Sequence, residues 1–137
     1  MAINNLINIR EIISFAGVGT VGFVLDAAIV WALINYAAIS PIPAKFMAFP
    51  CAVTVTWLLN RNSTFKANQQ TNYLKEWLLY IQINSIGAFA NNLSFIVLVS
   101  INTFLYENPI VTVAIGSLFG MLFNYFGSKF WVFKNTK

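Results

Sequence analysis

The sequence contains no histidine and a single cysteine, Cys51, which lies inside an apolar run. An intrachain disulfide is therefore excluded, as are a histidine or multi-cysteine metal site and any Cys–His nucleophile. Carboxylates are almost as scarce. Glu11, Asp26, Glu76 and Glu107 fall in four separate regions, and none is paired with another for acid–base chemistry. Lys, Arg, Asp and Glu together make up only 9% of the 137 residues, whereas a soluble domain carries about 25%. Hydrophobic residues make up 58%. So few charges could not cover a soluble fold of this size, and lipid must act as solvent for most of the chain.

What is present is a set of long apolar runs. A membrane-spanning helix needs about 20 predominantly apolar residues. Four stretches qualify: residues 12–36, 43–60, 77–101 and 109–131. The connections between them are Ala37–Ile42, Arg61–Glu76 and Asn102–Asn108. The first stretch is too long for a signal h-region and lacks a small-residue cleavage site, so it reads as a retained helix. The expected fold is an all-α membrane protein, one domain of four transmembrane helices.

The basic residues set an orientation. With four spans, the N-terminal tail, the middle connection and the C-terminal tail share one side. That side holds Arg10, Arg61, Lys66, Lys75, Lys129, Lys134 and Lys137, and the other holds only Lys45. Both termini are therefore expected in the cytoplasm. Trp57, Trp77 and Trp131 lie near the inner boundary, as an aromatic belt would. The net charge of +4 is distributed between apolar spans, which is a topology pattern and not a nucleic-acid face.

An internal similarity runs at an offset of 68. Residues 56–66, ending Asn60-Arg61-Asn62-Ser63-Thr64-Phe65-Lys66, align with 124–134, ending Ser128-Lys129-Phe130-Trp131-Val132-Phe133-Lys134. Base meets base at Arg61/Lys129 and Lys66/Lys134, aromatic meets aromatic at Trp57/Tyr125 and Phe65/Phe133, and the same offset pairs Gly19 with Gly87. Helices 1–2 and 3–4 thus read as two copies of one hairpin in a parallel repeat.

Polar residues inside the spans are the candidate functional groups. Asp26 lies 14 residues into the first span, about 21 Å along a helix and well inside the hydrocarbon. It is either a proton-linked or substrate-polar site, or a protonated acid hydrogen-bonded to a neighbouring helix. Asn84 and Asn91 are seven apart and share a face, which either lines a polar cavity or bonds to another helix. Gly116, Gly120 and Asn124 recur every four residues, a small-residue packing face. Pro50 should kink the second span. Arg61, Lys66, Lys129 and Lys134 either set topology or contact a lipid phosphate.

Taken together, these motifs resemble the GtrA-like family of small four-helix membrane proteins. The match rests on Phe15-Ala16-Gly17-Val18-Gly19 opening the first helix, Asp26 along it, Asn60-Arg61 with Phe65 closing the second, and Asn124-Tyr125 with Lys129, Trp131 and Phe133 closing the fourth. It departs at Ser63, where the family usually has Trp, and at Ser128, where an Asn would echo Asn60. The resemblance implies translocation of a polyprenyl-phosphate-linked sugar for glycosylation of cell-surface polysaccharide or teichoic acid in a bacterial plasma membrane. The expected partners are that lipid-linked sugar, membrane lipid and either further copies of the chain or a membrane glycosyltransferase, with no cofactor. Asp26, Asn60, Arg61, Phe65, Asn84, Asn91, Asn124, Lys129, Trp131 and Phe133 are the expected substrate contacts. No connection exceeds the 16 residues of Arg61–Glu76, too short for a nucleotide-sugar domain, so the chain is expected not to be an enzyme. A non-transporting partner of a glycosyltransferase and a small drug or cation exporter are the other readings. The exporter is disfavoured by the charge bias.

Reporter fusions after Lys137 or within residues 67–71 are expected to report a cytoplasmic location, and fusions within 102–108 an external one. An external C-terminus would reverse the orientation.

Overall fold

In lipid the backbone has no water to bond, so each crossing segment must satisfy its own N–H and C=O groups as a helix. The computed structural model describes residues 8–67 and 72–134, and every regular element among them is helical. The order is α1 (Ile9–Ala37), α2 (Pro41–Leu59), a π-helical turn (Asn60–Thr64), α3 (Tyr73–Ile101), a short α4 (Thr103–Glu107), α5 (Pro109–Gly127) and a second π-helical turn (Ser128–Val132). Four helices are long and apolar enough to cross a membrane: Ile9–Ala37, Pro41–Thr64, Tyr73–Ile101 and Val111–Val132. The chain is an all-α, multi-pass membrane protein. Lys137 and residues 68–71, part of the expected inner charge and middle connection, lie outside the described residues.

Local chemistry places the helix ends. Asn8 caps α1 by accepting from the Arg10 amide at 3.1 Å, which satisfies one of the orphan donors of the first turn. Ala38 ends α1 in a left-handed conformation, φ 52°, and Pro41 opens α2 three residues later, where a missing N–H costs nothing. The connection 102–108 is not the bare loop expected from sequence. Asn102 accepts from the Leu105 amide at 3.1 Å and so caps α4. Thr112 then ties α5 back to α4 by donating to the Leu105 carbonyl at 2.6 Å. Pro50 does not end α2, which is continuous from Pro41 to Leu59.

The chain divides into two compact units. One runs to Tyr73, and the other spans Leu74–Lys134. In the first, α1 packs on α2 through a stripe of small residues spaced by four: Ala44, Ala48, Ala52 and Thr56, all buried. Gly22 of α1 meets Thr56 so closely that no Cβ fits between them. In the second, the buried stripe is Thr112, Gly116 and Gly120, and it packs on α3. There the Asn124 carboxamide occupies the space a Cβ on Gly87 would need. A Cβ on Gly120 would come within 2.9 Å of the Gly87 carbonyl oxygen and of Asn91 Cβ. Lipid tails are as apolar as leucine, so helices associate by close packing of this kind and not by hydrophobic burial.

The spacing of these contacts corrects one sequence expectation. Gly19, paired with Gly87 at the offset of 68, has nothing within 4 Å of a built Cβ. The buried positions of α1, Phe15, Val18 and Gly22, correspond instead to Tyr80, Ile83 and Gly87 of α3, each 65 residues on. The second helices keep the offset of 68, since Pro41–Leu59 and Asn60–Thr64 fall 68 residues before Pro109–Gly127 and Ser128–Val132.

Gly120→Ala is expected to lower thermal stability in detergent by several degrees, because the new methyl meets backbone. Gly19→Ala is expected to be neutral or stabilising by up to about 1 kcal/mol, since it only adds helix propensity. Equal tolerance of both would remove the close-packing account.

Candidate functional site

Each unit carries its own candidate site, the π-helical turn that closes α2 in the first and α5 in the second. π-turns are rare and concentrate at functional positions. Each is marked by an amide bonded five residues back: Phe65 N–H to the Asn60 carbonyl at 2.9 Å, and Phe133 N–H to the Ser128 carbonyl at 2.8 Å. The widened turn takes one more residue per revolution and so redirects the chain beyond it. In both cases the next two residues are a buried phenylalanine and then an exposed lysine.

In the first unit, Asn60 is buried and accepts at Oδ1 from the Thr64 hydroxyl at 2.9 Å. With its proton used there, Thr64 is left to accept from Ser14 of α1, whose hydroxyl lies 2.8 Å away. This chain of bonds links the Asn60, Thr64 and Ser14 side chains and fixes the turn to α1. Phe65 packs edge-on against Phe15, ring centroids 6.0 Å apart. Arg61 is only 4% exposed. Its guanidinium stands 4.4 Å over the Tyr73 ring, and Trp57 meets the same ring edge-on at 6.3 Å. A guanidinium over an aromatic face is attracted by the ring quadrupole. Arg61 therefore clamps the turn from inside its own unit, with its planar fork turned away from solvent.

In the second unit, Ser128 stands where Asn60 does, fully buried. Lys129 is half-buried and donates to the Tyr125 hydroxyl at 3.2 Å. Phe133 is buried against Tyr80, centroids 6.0 Å apart. Ser128 Oγ and Asn124 Oδ1 are buried without a hydrogen-bond partner, and such groups are costly in a low-dielectric interior.

Lys66 and Lys134, one residue beyond the buried phenylalanines, are exposed. Lys66 adopts φ 48°, a left-handed conformation that glycine takes without cost and a side-chain residue takes at about 1–2 kcal/mol. The Ala67 amide bonds to the Arg61 carbonyl at 2.9 Å, the wrap that such a residue allows at a helix end.

The structure redistributes the residues expected to touch substrate. Phe65 and Phe133 are packing residues, buried in their own units, and offer no free ring face to a sugar. Trp131 is 58% exposed and remains available. Trp57, expected in a lipid-facing belt, is buried. The Asn84 amide donates to the Tyr80 carbonyl of its own helix at 2.9 Å. Asn92 and Ser94 bond back to Ala88 and Ala90 in the same way, which hides polar groups from lipid within one helix. Asn91 is a steric seat, since a Cβ on Gly116 would come within 2.7 Å of its Oδ1. Asp26 lies far along α1 from the turn and forms an ion pair with Lys45 of α2. Tyr73 and the Ser14–Thr64 contact were not anticipated. Tyr73 carries no local signal in the sequence, because its role depends on chain arriving from beyond the middle connection.

Phe65→Ala and Phe133→Ala are expected to lower stability by about 3–5 kcal/mol, the usual cost of removing a buried ring. Trp131→Ala should change stability by less than about 0.5 kcal/mol, as an exposed substitution. Thermal unfolding in detergent measures all three, and a large loss in Trp131→Ala alone would invert the assignment.

A comparison with curated proteins finds no match. The family described as GtrA/DPMS, transmembrane domain, matches residues 14–134, which takes in all four spans and both π-turns. The chain belongs to the GtrA/DPMS transmembrane-domain family and is a membrane protein of lipid-linked sugar glycosylation pathways.

Proposed function

We propose that the chain moves a polyprenyl-phosphate-linked sugar across the membrane for glycosylation of cell-surface polysaccharide or teichoic acid, and catalyses no reaction itself. The observation that carries this reading is the arrangement of the two π-turns. Each turns an aromatic inward and then presents a lysine outward at the end of a membrane span. A phosphate headgroup resides at that depth, and a flexible ammonium meets it as a point charge. Lys66, Lys134 and half-exposed Lys129 are the accessible bases. Arg61 supports the turn that presents Lys66. The positive charge at these ends faces the cytoplasm in this reading, in a bacterial plasma membrane.

A second reading, a non-transporting membrane partner of a glycosyltransferase, is favoured by the outward apolar surface. Large side chains such as Phe23, Phe46, Phe89 and Phe119 are exposed in the single chain. Such rings cover lipid or another protein equally well, and further copies of this chain are the other occupant. Deleting the gene separates the readings. Loss of the surface sugar with accumulation of lipid-linked sugar at the cytoplasmic leaflet supports transport; failure to make the lipid-linked sugar at all supports the partner.

A charge-assisted bond to phosphate is worth about 1.5–3 kcal/mol, and about 1.4 kcal/mol is tenfold in affinity. Lys66→Gln combined with Lys134→Gln is therefore expected to cut surface glycosylation at least tenfold in correctly inserted protein. Arg61→Gln should instead lower protein yield. Normal glycosylation in the double lysine variant would remove the headgroup role.

A further inference from the structure

The ion pair between Asp26 and Lys45 belongs to neither π-turn. Asp26 sits on α1 with 13% of its side chain exposed, and Lys45 sits in the second turn of α2 with 61% exposed. Lys45 lies on the continuous span Pro41–Thr64, and Lys66 lies two residues beyond its end. They are 21 residues apart, about 30 Å along a helix, which is also the thickness of the hydrocarbon core. One hairpin thus carries an exposed ammonium at each membrane boundary, whichever way the chain is inserted. Lys45 is the only base on its side of the membrane.

A charge with this exposure has a simple occupant. An ammonium held only by one carboxylate keeps donors free, since Lys has three and no acceptor. Asp26, by contrast, is mostly enclosed. It therefore acts as an internal anion that holds Lys45 when no other anion is present.

We propose that Lys45 is a second phosphate-headgroup site, at the membrane boundary opposite the π-turns, with Asp26 as its built-in competitor. This rests on the translocation reading above. A lipid phosphate reaching that boundary shares or takes the ammonium from Asp26, and the carboxylate recovers it when the headgroup leaves. Binding at Lys45 is weaker than a free lysine would give, because the competitor is covalently present at high effective concentration. A headgroup is accepted there without being trapped.

The test uses the full chain in phosphatidylcholine nanodiscs, with a fluorescent short-chain polyprenyl phosphate as probe. In the Lys66→Gln/Lys134→Gln background, the remaining binding is expected to fall at least tenfold on adding Lys45→Gln. It should rise severalfold on adding Asp26→Asn, which keeps the cation and removes its competitor. The charge swap, Asp26→Lys with Lys45→Asp, distinguishes a site from a latch between α1 and α2. The swap restores the ion pair, so thermal stability should recover. Binding should stay low, because the cation now sits at the enclosed position. Recovery of binding together with stability, or unchanged binding in Lys45→Gln, overturns the site and leaves the translocation reading standing. Absence of probe binding to the unmodified chain overturns both. Competition by millimolar inorganic phosphate would assign the site to free phosphate and overturn the lipid assignment. Indifference to it, with competition by unlabelled polyprenyl phosphate, supports the lipid headgroup.

Discussion

Close approach between helix backbones is the contact on which the rest of this structure depends. In water, two amphipathic helices associate because burying apolar surface is favourable. In lipid that term is lost, and dispersion contacts between well-fitted surfaces replace it. The fit is made by small residues repeated every four positions, Ala44-Ala48-Ala52 in one unit and Thr112-Gly116-Gly120 in the other. On the facing helices, Gly22 receives the Thr56 methyl and Gly87 the Asn124 carboxamide where a Cβ would otherwise be. Because these seams leave no room to slide, they set the height of one helix on the other. The height in turn decides that Ser14 meets Thr64 and that Tyr80 meets Phe133.

The π-turns depend on that register. At the end of each seam the chain must leave the membrane with its polar backbone satisfied and its large rings packed. A π-turn does both, retaining helical bonding while rotating the next residues by an extra position. Phe65 and Phe133 swing inward, and the lysines after them are left outside. Polar side chains in the spans obey the same requirement. Asn84, Asn92, Ser94 and Ser100 donate to carbonyls four residues back on their own helices, which pairs one donor of each. Charge within the spans is handled by pairing, as at Asp26 and Lys45. That pairing offsets part of the cost of carrying a carboxylate on a membrane-spanning helix.

The division of labour between the basic residues is a consequence of burial and not of residue type. Arginine is the better phosphate fork, yet Arg61 is buried and its guanidinium lies over Tyr73. Lys129 is partly committed to Tyr125. The bases left open to a headgroup are those one residue past each buried ring, and at Lys66 a left-handed backbone is accepted to keep a lysine in that position.

Much of the fold could be read before any coordinates. Length and hydropathy of the apolar runs determine the number of spans, because a segment in hydrocarbon has no alternative to the helix. Scarcity of charge determines the solvent. The small-residue spacing of Gly116 and Gly120 marked a packing face, and the equivalent Ala44-Ala48-Ala52 stripe had the same signature, hidden because alanine also serves as plain helix former. What the sequence could not disclose depended on distances between segments remote in the chain. The partner of Asp26 was Lys45, across a hairpin. Gly22, and not Gly19, shares with Gly87 a buried position at a close helix contact, and that depends on the partner helix. Whether Arg61, Phe65 and Phe133 face a ligand or a core was settled only by packing. A base or an aromatic at a helix end has the same local pattern in either case, and the tertiary contacts alone decide which side of it is desolvated.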